Sequence, residues 1–299
     1  MPPLPGHALA DEPARGAACC PRQPADHTRF ATTRRWLETF ELPRGWLGWL
    51  FEFGLFVFKQ GWACLFGGLM LALLLASHWF YPADAPLARY DFLTLAALAI
   101  QISMLVFRLE TLSEAKVILV FHVVGTVMEV FKTAAGSWIY PEPSLLRIGG
   151  VPLFSGFMYA AVGSYLARVL RIFAIRFEPY PRGPWPEAIA VLVYLNFFAH
   201  HWLPDIRVAL FIAIIALFWG TRARFTVWRE ERAMPLLLGW LLVALFIWLA
   251  ENLGTFARAW IYPGQENAWT LVSPAKLGAW YLLMYISFVL VKRSSSRRG

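Results

Sequence analysis

Residues 129–141, EVFKTAAGSWIYP, return 122 positions later as residues 251–263, ENLGTFARAWIYP. Both copies read E-x3-T-x-A-x2-W-I-Y-P, and the register continues without a gap. Pro152 matches Pro274, Gly156 matches Gly278 and Tyr159 matches Tyr281, which gives ten identities across residues 129–163. Upstream, His78 falls on His200, Pro82 on Pro204 and Gly61 on Gly183 at the same offset. The pattern predicts a duplicated unit that sets one glutamate, Glu129 or Glu251, inside an apolar run. Ionisable groups in such runs are costly and usually functional, so the pair is the first functional lead.

The surroundings of the two copies are membrane-like. The chain is 59% hydrophobic and only 15% charged, against about a quarter charged in soluble domains. Eight apolar runs are expected to span a bilayer: 61–80, 90–107, 115–133, 151–171, 186–203, 206–220, 235–255 and 275–291. Basic residues set their orientation. With the N-terminus in the cytoplasm, 21 Lys and Arg lie on the inner side and six (Arg89, Lys132, Arg147, Arg207, Arg258 and Lys276) on the outer side. The net charge of +8 is then a topology signal meeting anionic headgroups, with no nucleic acid required. Cys19 and Cys20 lie in a polar arm and Cys64 within a span, so no disulfide framework is implied.

The expected fold class is therefore an all-α polytopic membrane protein of about eight helices. They form two parallel four-helix repeats with both termini inside, in the bacterial cytoplasmic (inner) membrane. The expected divisions are a disordered arm (1–35), an interfacial amphipathic helix (36–58), repeat 1 (59–177), repeat 2 (178–293) and a basic tail (294–299). An even number of spans per repeat makes the relating axis run along the membrane normal. Both W-I-Y-P turns then leave the membrane on the outer side, where proline ends the helix. Many of the fifteen tryptophans suit interfacial belts, whereas Trp240, Trp248 and Trp280 are deeper and are read as space-filling.

The polar residues inside the runs suggest chemistry. His122, Thr126, Glu129 and Thr133 share one helical face, with Gly125 beside them for close approach of a neighbour. The second copy keeps Glu251 and Thr255 there, but has Ala244 in place of the histidine and Gly254 in place of Lys132. His78 and His200 sit at equivalent outer ends. Glu129, Glu251 and His122 are the candidate catalytic groups. His78, His200, Trp138, Tyr140, Trp260 and Tyr262 are the candidate substrate-binding groups. The bland alternative is that each glutamate bonds the Trp and Tyr of its own turn and only holds the fold. A His/Glu metal site lacks any H-E-x-x-H spacing, and no metal or cofactor is expected. Nucleotide and nucleophile-elbow motifs are absent from the sequence.

The run from His122 to Arg171, with its G-S-W-I-Y-P-E and G-V-P-L-F-S-G-F-M-Y strings, resembles an uncharacterised bacterial integral-membrane family, domain of unknown function 817. The resemblance covers most of the chain after the arm and implies a multi-pass membrane topology. A shorter pattern, Glu129, Gly136, Tyr140 and Gly150-Val151-Pro152-Leu153, is similar to one in membrane carotenoid hydratases, though Trp138-Ile139-Tyr140 stands where they have Tyr-x-Tyr. Glu251–Thr255 is similar to a stretch of membrane carotenoid cyclases. That resemblance implies protonation of an alkene and capture of the cation by water or a second double bond. Three function classes stay open: an acid–base enzyme on a lipid-soluble, isoprenoid-like molecule, a proton-coupled carrier of small solutes, and a structural membrane protein. Membrane lipids and a lipid-soluble small molecule are the expected partners.

Overall fold

The computed structural model describes residues 28–39, 45–200 and 202–296. In chain order the helices are α1 (Arg29–Glu38), α2 (Trp46–Ala63), α3 (Leu65–Phe80), α4 (Arg89–Val106), α5 (Leu112–Ala134), α6 (Phe154–Ile172), α7 (Trp185–Ala199), α8 (Arg207–Phe218), α9 (Leu236–Phe256) and α10 (Ala275–Ser296). Strands β1 (Arg147–Ile148) and β2 (Val151–Pro152) form a small hairpin. Strands β3 (Arg176–Glu178), β4 (Arg222–Thr226) and β5 (Glu231–Pro235) form an antiparallel sheet in that order. The protein is mostly helical, but it is not all-α as its sequence suggests. Alternation of charged and apolar residues in R-A-R-F-T was the available signal for β4.

Four helices, α4, α5, α9 and α10, are long and apolar enough to cross a membrane. The pair α2 and α3 makes a fifth if it is one bent span, with a 69° bend at Cys64. Large apolar side chains face outward on several helices: Val208 is 72% exposed, Phe246 70% and Leu119 62%. Water would drive such a surface to aggregate, whereas hydrocarbon solvates it. The chain is a membrane protein.

Helix lengths differ from the eight-run expectation. Runs 186–203 and 206–220 become α7 and α8, of 15 and 12 residues. At 1.5 Å per residue these are about 22 and 18 Å long, short of a hydrocarbon core of about 30 Å. Helix α6 has 19 residues, but it carries Arg168, Arg171 and Ser164 and is packed between its neighbours. The N-terminal divisions also shift. Residues 1–27 of the expected disordered arm lie outside the described residues, and 29–38 are helical, so disorder does not extend to residue 35. The expected break near residues 58–61 falls instead at Cys64. At the other end, α10 runs to Ser296, and residues 297–299 of the expected tail lie outside the described residues.

Helix α6 is the hub, packing against α2, α3, α4, α5 and α10. Its approach to α5 depends on missing side chains: a Cβ on Gly125 would lie 2.6 Å from Tyr159, and one on Gly163 would lie 2.6 Å from Phe121. Helix α5 begins with a capping box in which Thr111 and Glu114 satisfy each other's backbone N–H. Glu114 also accepts from Arg171 at 2.9 Å, tying the start of α5 to the end of α6. At that same end, Lys59 donates to the Val227 carbonyl and Arg232 pairs with Glu52 at 2.7 Å, fastening α2 to the three-stranded sheet. At the opposite end, the two W-I-Y-P segments meet.

Candidate functional site

After α5, Gly136 adopts φ +72°, in the left-handed region that ends helices, and the chain turns back over the helix it has just left. This brings Trp138 and Tyr140 onto Glu129. The Trp138 indole N–H donates to Oε2 at 2.7 Å and the Tyr140 hydroxyl to the same oxygen at 2.6 Å. Tyr159, from α6, donates to Oε1 at 2.7 Å. The second copy repeats the plan with a change of cast. The Tyr262 hydroxyl donates to Glu251 Oε1, and the Trp280 indole donates to Oε2 at 2.5 Å. Trp260, the register partner of Trp138, lies instead against Gly254.

The two turns are joined. Ile139 and Ile261 form an antiparallel bridge with both N–H···O bonds at 3.0 Å. The bridge brings the Trp138 and Tyr262 rings to 5.9 Å, edge to face. The Lys276 ammonium, from the first turn of α10, lies 4.2 Å from the Tyr262 ring centroid and 5.0 Å from that of Trp138. Arg89 clamps both turns from the side. It pairs with Glu142 at 2.7 Å and donates to the Ala257 and Arg258 carbonyls at 3.1 Å each. Asp91, in the first turn of α4, accepts the Leu145 and Leu146 backbone N–H groups. Burial, then the neighbouring Glu129 carboxylate, hold the Tyr140 phenol well above its ordinary range, and burial and Glu251 do the same to Tyr262. Both phenols are therefore lasting O–H donors.

One cavity of ≈ 1150 Å³ collects this centre. Glu129, Glu251, Trp138, Tyr140, Trp260 and Tyr262 line it, together with His200. Its remaining walls are mainly apolar faces of α3, α6, α9 and α10, and it continues to Phe177 and Phe225 on the three-stranded sheet. Trp138, Tyr140, Trp260 and Tyr262, the four aromatic candidates for substrate binding, thus line one space. The histidines divide. His200 lines the cavity, with Nδ1 3.0 Å from the Asn196 carbonyl oxygen. His122 does not: its ring sits 4.4 Å from Phe157 and lines a separate cavity of ≈ 380 Å³ with Thr126 and Val127. Tyr159, seated on Gly125, fills the helix face between His122 and Glu129. His78 packs with Phe256 and Trp79 away from the cavity, ring centroids 5.5 and 5.9 Å apart. Among the described residues, no three His, Cys, Asp or Glu side chains gather as a metal site would require.

Sequence reasoning missed four contributors. Trp280, read as filler, is a donor to Glu251, and its register partner is Met158, so the duplication offered no signal. Tyr159 was visible as a match to Tyr281, yet Tyr159 donates to Glu129 while Tyr281 packs beside Phe211 and Trp240. Lys276 and Arg89 were counted only as outer-side charges. The bonding of each glutamate to the Trp and Tyr of its own turn, raised as the bland alternative, is complete for Glu129, whereas Glu251 bonds Tyr262 but not Trp260.

The family described as "Protein of unknown function (DUF817)" matches residues 52–288. The chain is 41% identical over 236 residues to "Uncharacterized protein YoaT" of Bacillus subtilis (strain 168), covering 79% of this chain and 89% of that relative. No solved structure matches. The match spans α2 through most of α10 and includes both glutamates with all five of their donors. The chain belongs to the DUF817 family.

Proposed function

We propose that the protein is a membrane-embedded acid–base enzyme acting on a lipid-soluble, isoprenoid-like molecule through Glu129 and Glu251. One observation carries this reading: two buried, hydrogen-bonded carboxyl groups stand at the polar end of a single, otherwise apolar cavity. Tyrosine hydroxyls touch both glutamates, and each can donate to a carboxylate or accept from a carboxylic acid. The site can therefore hold or release a proton without orphaning a partner. In the reaction class that fits, a glutamic acid protonates a C=C bond and leaves a tertiary carbocation. Water then adds to the cation and returns a proton to carboxylate, for net addition of water across the double bond. Ring faces of Trp138 and Tyr262, which already flank the Lys276 ammonium, suit a passing positive charge.

The topology proposed with this function is eight membrane segments in two parallel repeats of four, of which α7 and α8 are shorter than the hydrocarbon core and reach its faces through the residues that flank them. Both termini are cytoplasmic and both W-I-Y-P turns external, in the bacterial cytoplasmic membrane, with α2 along the inner interface. The basic asymmetry and the fixed offset of 122 support it. Cysteine labelling at Ser144 and Asn267 is expected from the outer side, and labelling of either only from the cytoplasm overturns the orientation. A second reading, a proton-coupled carrier, is favoured by the length of the cavity, whose lining extends from Trp138 to Phe225.

Glu129→Gln and Glu251→Gln separate the readings, because glutamine keeps size and polarity but delivers no proton. Lipid extracts from a deletion strain complemented with each variant are the measurement. An enzyme predicts that a lipid species altered by the deletion is restored by the wild type and not by folded Glu129→Gln. A carrier predicts instead that proton flux into reconstituted vesicles falls in either variant. Wild-type behaviour of both variants in both assays removes the acid–base role.

A further inference from the structure

The outer mouth of the large cavity carries more positive charge than the glutamate chemistry uses. Lys132, at the end of α5, Lys276, at the start of α10, and Arg207, at the start of α8, all line it. Lys132 is only 4% exposed, its ammonium 4.2 Å from the centroid of Phe197. Lys276 meets the ring faces of Trp138 and Tyr262, and Glu251 and Glu129 are the carboxylates that act on it. Arg207 pairs with Asp205 at 2.5 Å. Lys276 and Arg207 also occupy helix N-terminal turns, where the peptide dipoles present their positive ends and cations are disfavoured. Lys276 and Arg207 both act unfavourably on the Lys132 ammonium, while at Lys276 the two glutamates act favourably and Arg207 opposes them. Glu129 and Glu251 relieve this incompletely, because their oxygens are directed to Trp and Tyr donors.

We propose that the cavity takes an amphiphile with an anionic head, phosphate or carboxylate, held at Lys276, Lys132 and Arg207. Its apolar tail lies in the length of cavity between α3, α6, α9 and α10. An anion there completes the charge pattern, while the apolar walls accept a chain that a small soluble anion lacks. The head also fixes the tail's first carbons beside Glu129 and Glu251. This inference rests on the reading that the cavity receives a lipid-soluble molecule, and it adds the substrate's charge.

The test is native mass spectrometry of the full chain in neutral detergent with dodecyl phosphate, dodecanoic acid, dodecanol and phosphatidylglycerol. Dodecyl phosphate or dodecanoic acid is expected to bind at least about tenfold tighter than dodecanol. Lys276→Gln should erase that advantage while leaving dodecanol binding unchanged. Arg207→Gln, at a more exposed position, should halve it or more, and serves where Lys276→Gln does not fold. Tight binding by phosphatidylglycerol alone identifies a membrane lipid headgroup as the source of the anion. Equal binding of dodecanol and the anionic probes, or an advantage that survives both substitutions, overturns the anionic head while leaving a lipid-soluble substrate standing. Failure of every probe to bind overturns both.

Discussion

Glu129 and Glu251 are matched by register, yet Glu129 accepts three donors and Glu251 two. The difference traces to one position on the helix beneath each turn. In the second unit Gly254 leaves a groove that receives the Trp260 ring. In the first unit the matched residue is Lys132, which carries a side chain where Gly254 has none, and there Trp138 lies over Glu129 and donates to it. Glu251 recruits Trp280 from α10 instead, where the first unit has Met158 and relies on Tyr159. Equivalent carboxyl groups are thus held by non-equivalent means. The local turn supplies two donors, Trp138 and Tyr140, in the first copy and one, Tyr262, in the second, and the neighbouring helix adds Tyr159 or Trp280.

The largest effect expected from this comparison is on stability. Glu129→Ala strands three buried donors and Glu251→Ala strands two, at about 1–3 kcal/mol for each. Glu129→Ala should therefore lower the unfolding temperature in detergent more than Glu251→Ala. Each Gln variant should lie closer to wild type, since an amide oxygen still accepts the indole N–H. Equal losses for the two alanine variants would mean that Tyr159 contributes nothing to holding Glu129.

The second expectation probes the groove. A Cβ at position 254 would overlap the six-membered ring of Trp260, which is rigid and enclosed. Gly254→Ala should cost about 1–3 kcal/mol by overpacking and shift the Trp260 ring. Lys132→Ala at the matched position removes side-chain volume and creates no overlap. Quenching of tryptophan emission by a lipid-soluble quencher checks it: the second unit should respond to Gly254→Ala, and an unchanged spectrum together with unchanged stability would break the explanation given for Trp138.

Much of this was legible in the residues, for identifiable reasons. The repeated E-x3-T-x-A-x2-W-I-Y-P pattern carries Glu, Trp and Tyr close together in sequence, so the contact of each glutamate with its own turn is a local event. Trp280 and Lys276 arrive from a helix that follows a loop, and no spacing encodes that approach. His122 shares a helical face with Glu129, but a face two turns long admits Tyr159 between them, and periodicity cannot see the residue that intrudes. The break at Cys64 lies in an unbroken apolar run without proline. There α2 is fastened to the three-stranded sheet through Lys59 and Glu52, whose partners Val227 and Arg232 lie far along the chain from the break. The expectation of eight spans counted apolar residues and not helix lengths, and α7 and α8 are where the two part.

A third, smaller effect separates the aromatic donors. Tyr159→Phe removes one bond to Glu129 and should cost about 1.5–3 kcal/mol if that carboxyl is ionised, or about 1 if it is neutral. Tyr281→Phe, at the matched position, removes no bond to Glu251, because Tyr281 packs between Phe211 and Trp240. Denaturation of the two variants side by side reads the difference. A Tyr281→Phe loss as large as that of Tyr159→Phe would show that both copies use the same tyrosine, contrary to the geometry.

The smallest expected effect concerns the turns that follow α3 and α7, where Pro82 matches Pro204 but Ala83 stands where the second unit has Asp205. Only the second turn is tied electrostatically. Partial burial pushes the Asp205 carboxyl up, but the Asn196 amide and the backbone and guanidinium of Arg207 together pull it below its ordinary value. A carboxyl depressed in the folded state stabilises the fold above its unfolded value, near 3.9, and loses that contribution as pH falls through its folded value. The group is well exposed, so solvent screening keeps the gain below about 1 kcal/mol. Asp205→Asn should therefore unfold slightly below wild type at neutral pH, and the two unfolding temperatures should converge as the pH drops below about 4. A gap of constant size from neutral to strongly acidic pH would assign the effect to the Arg207 backbone cap alone and leave the charge of Asp205 without a role in the turn.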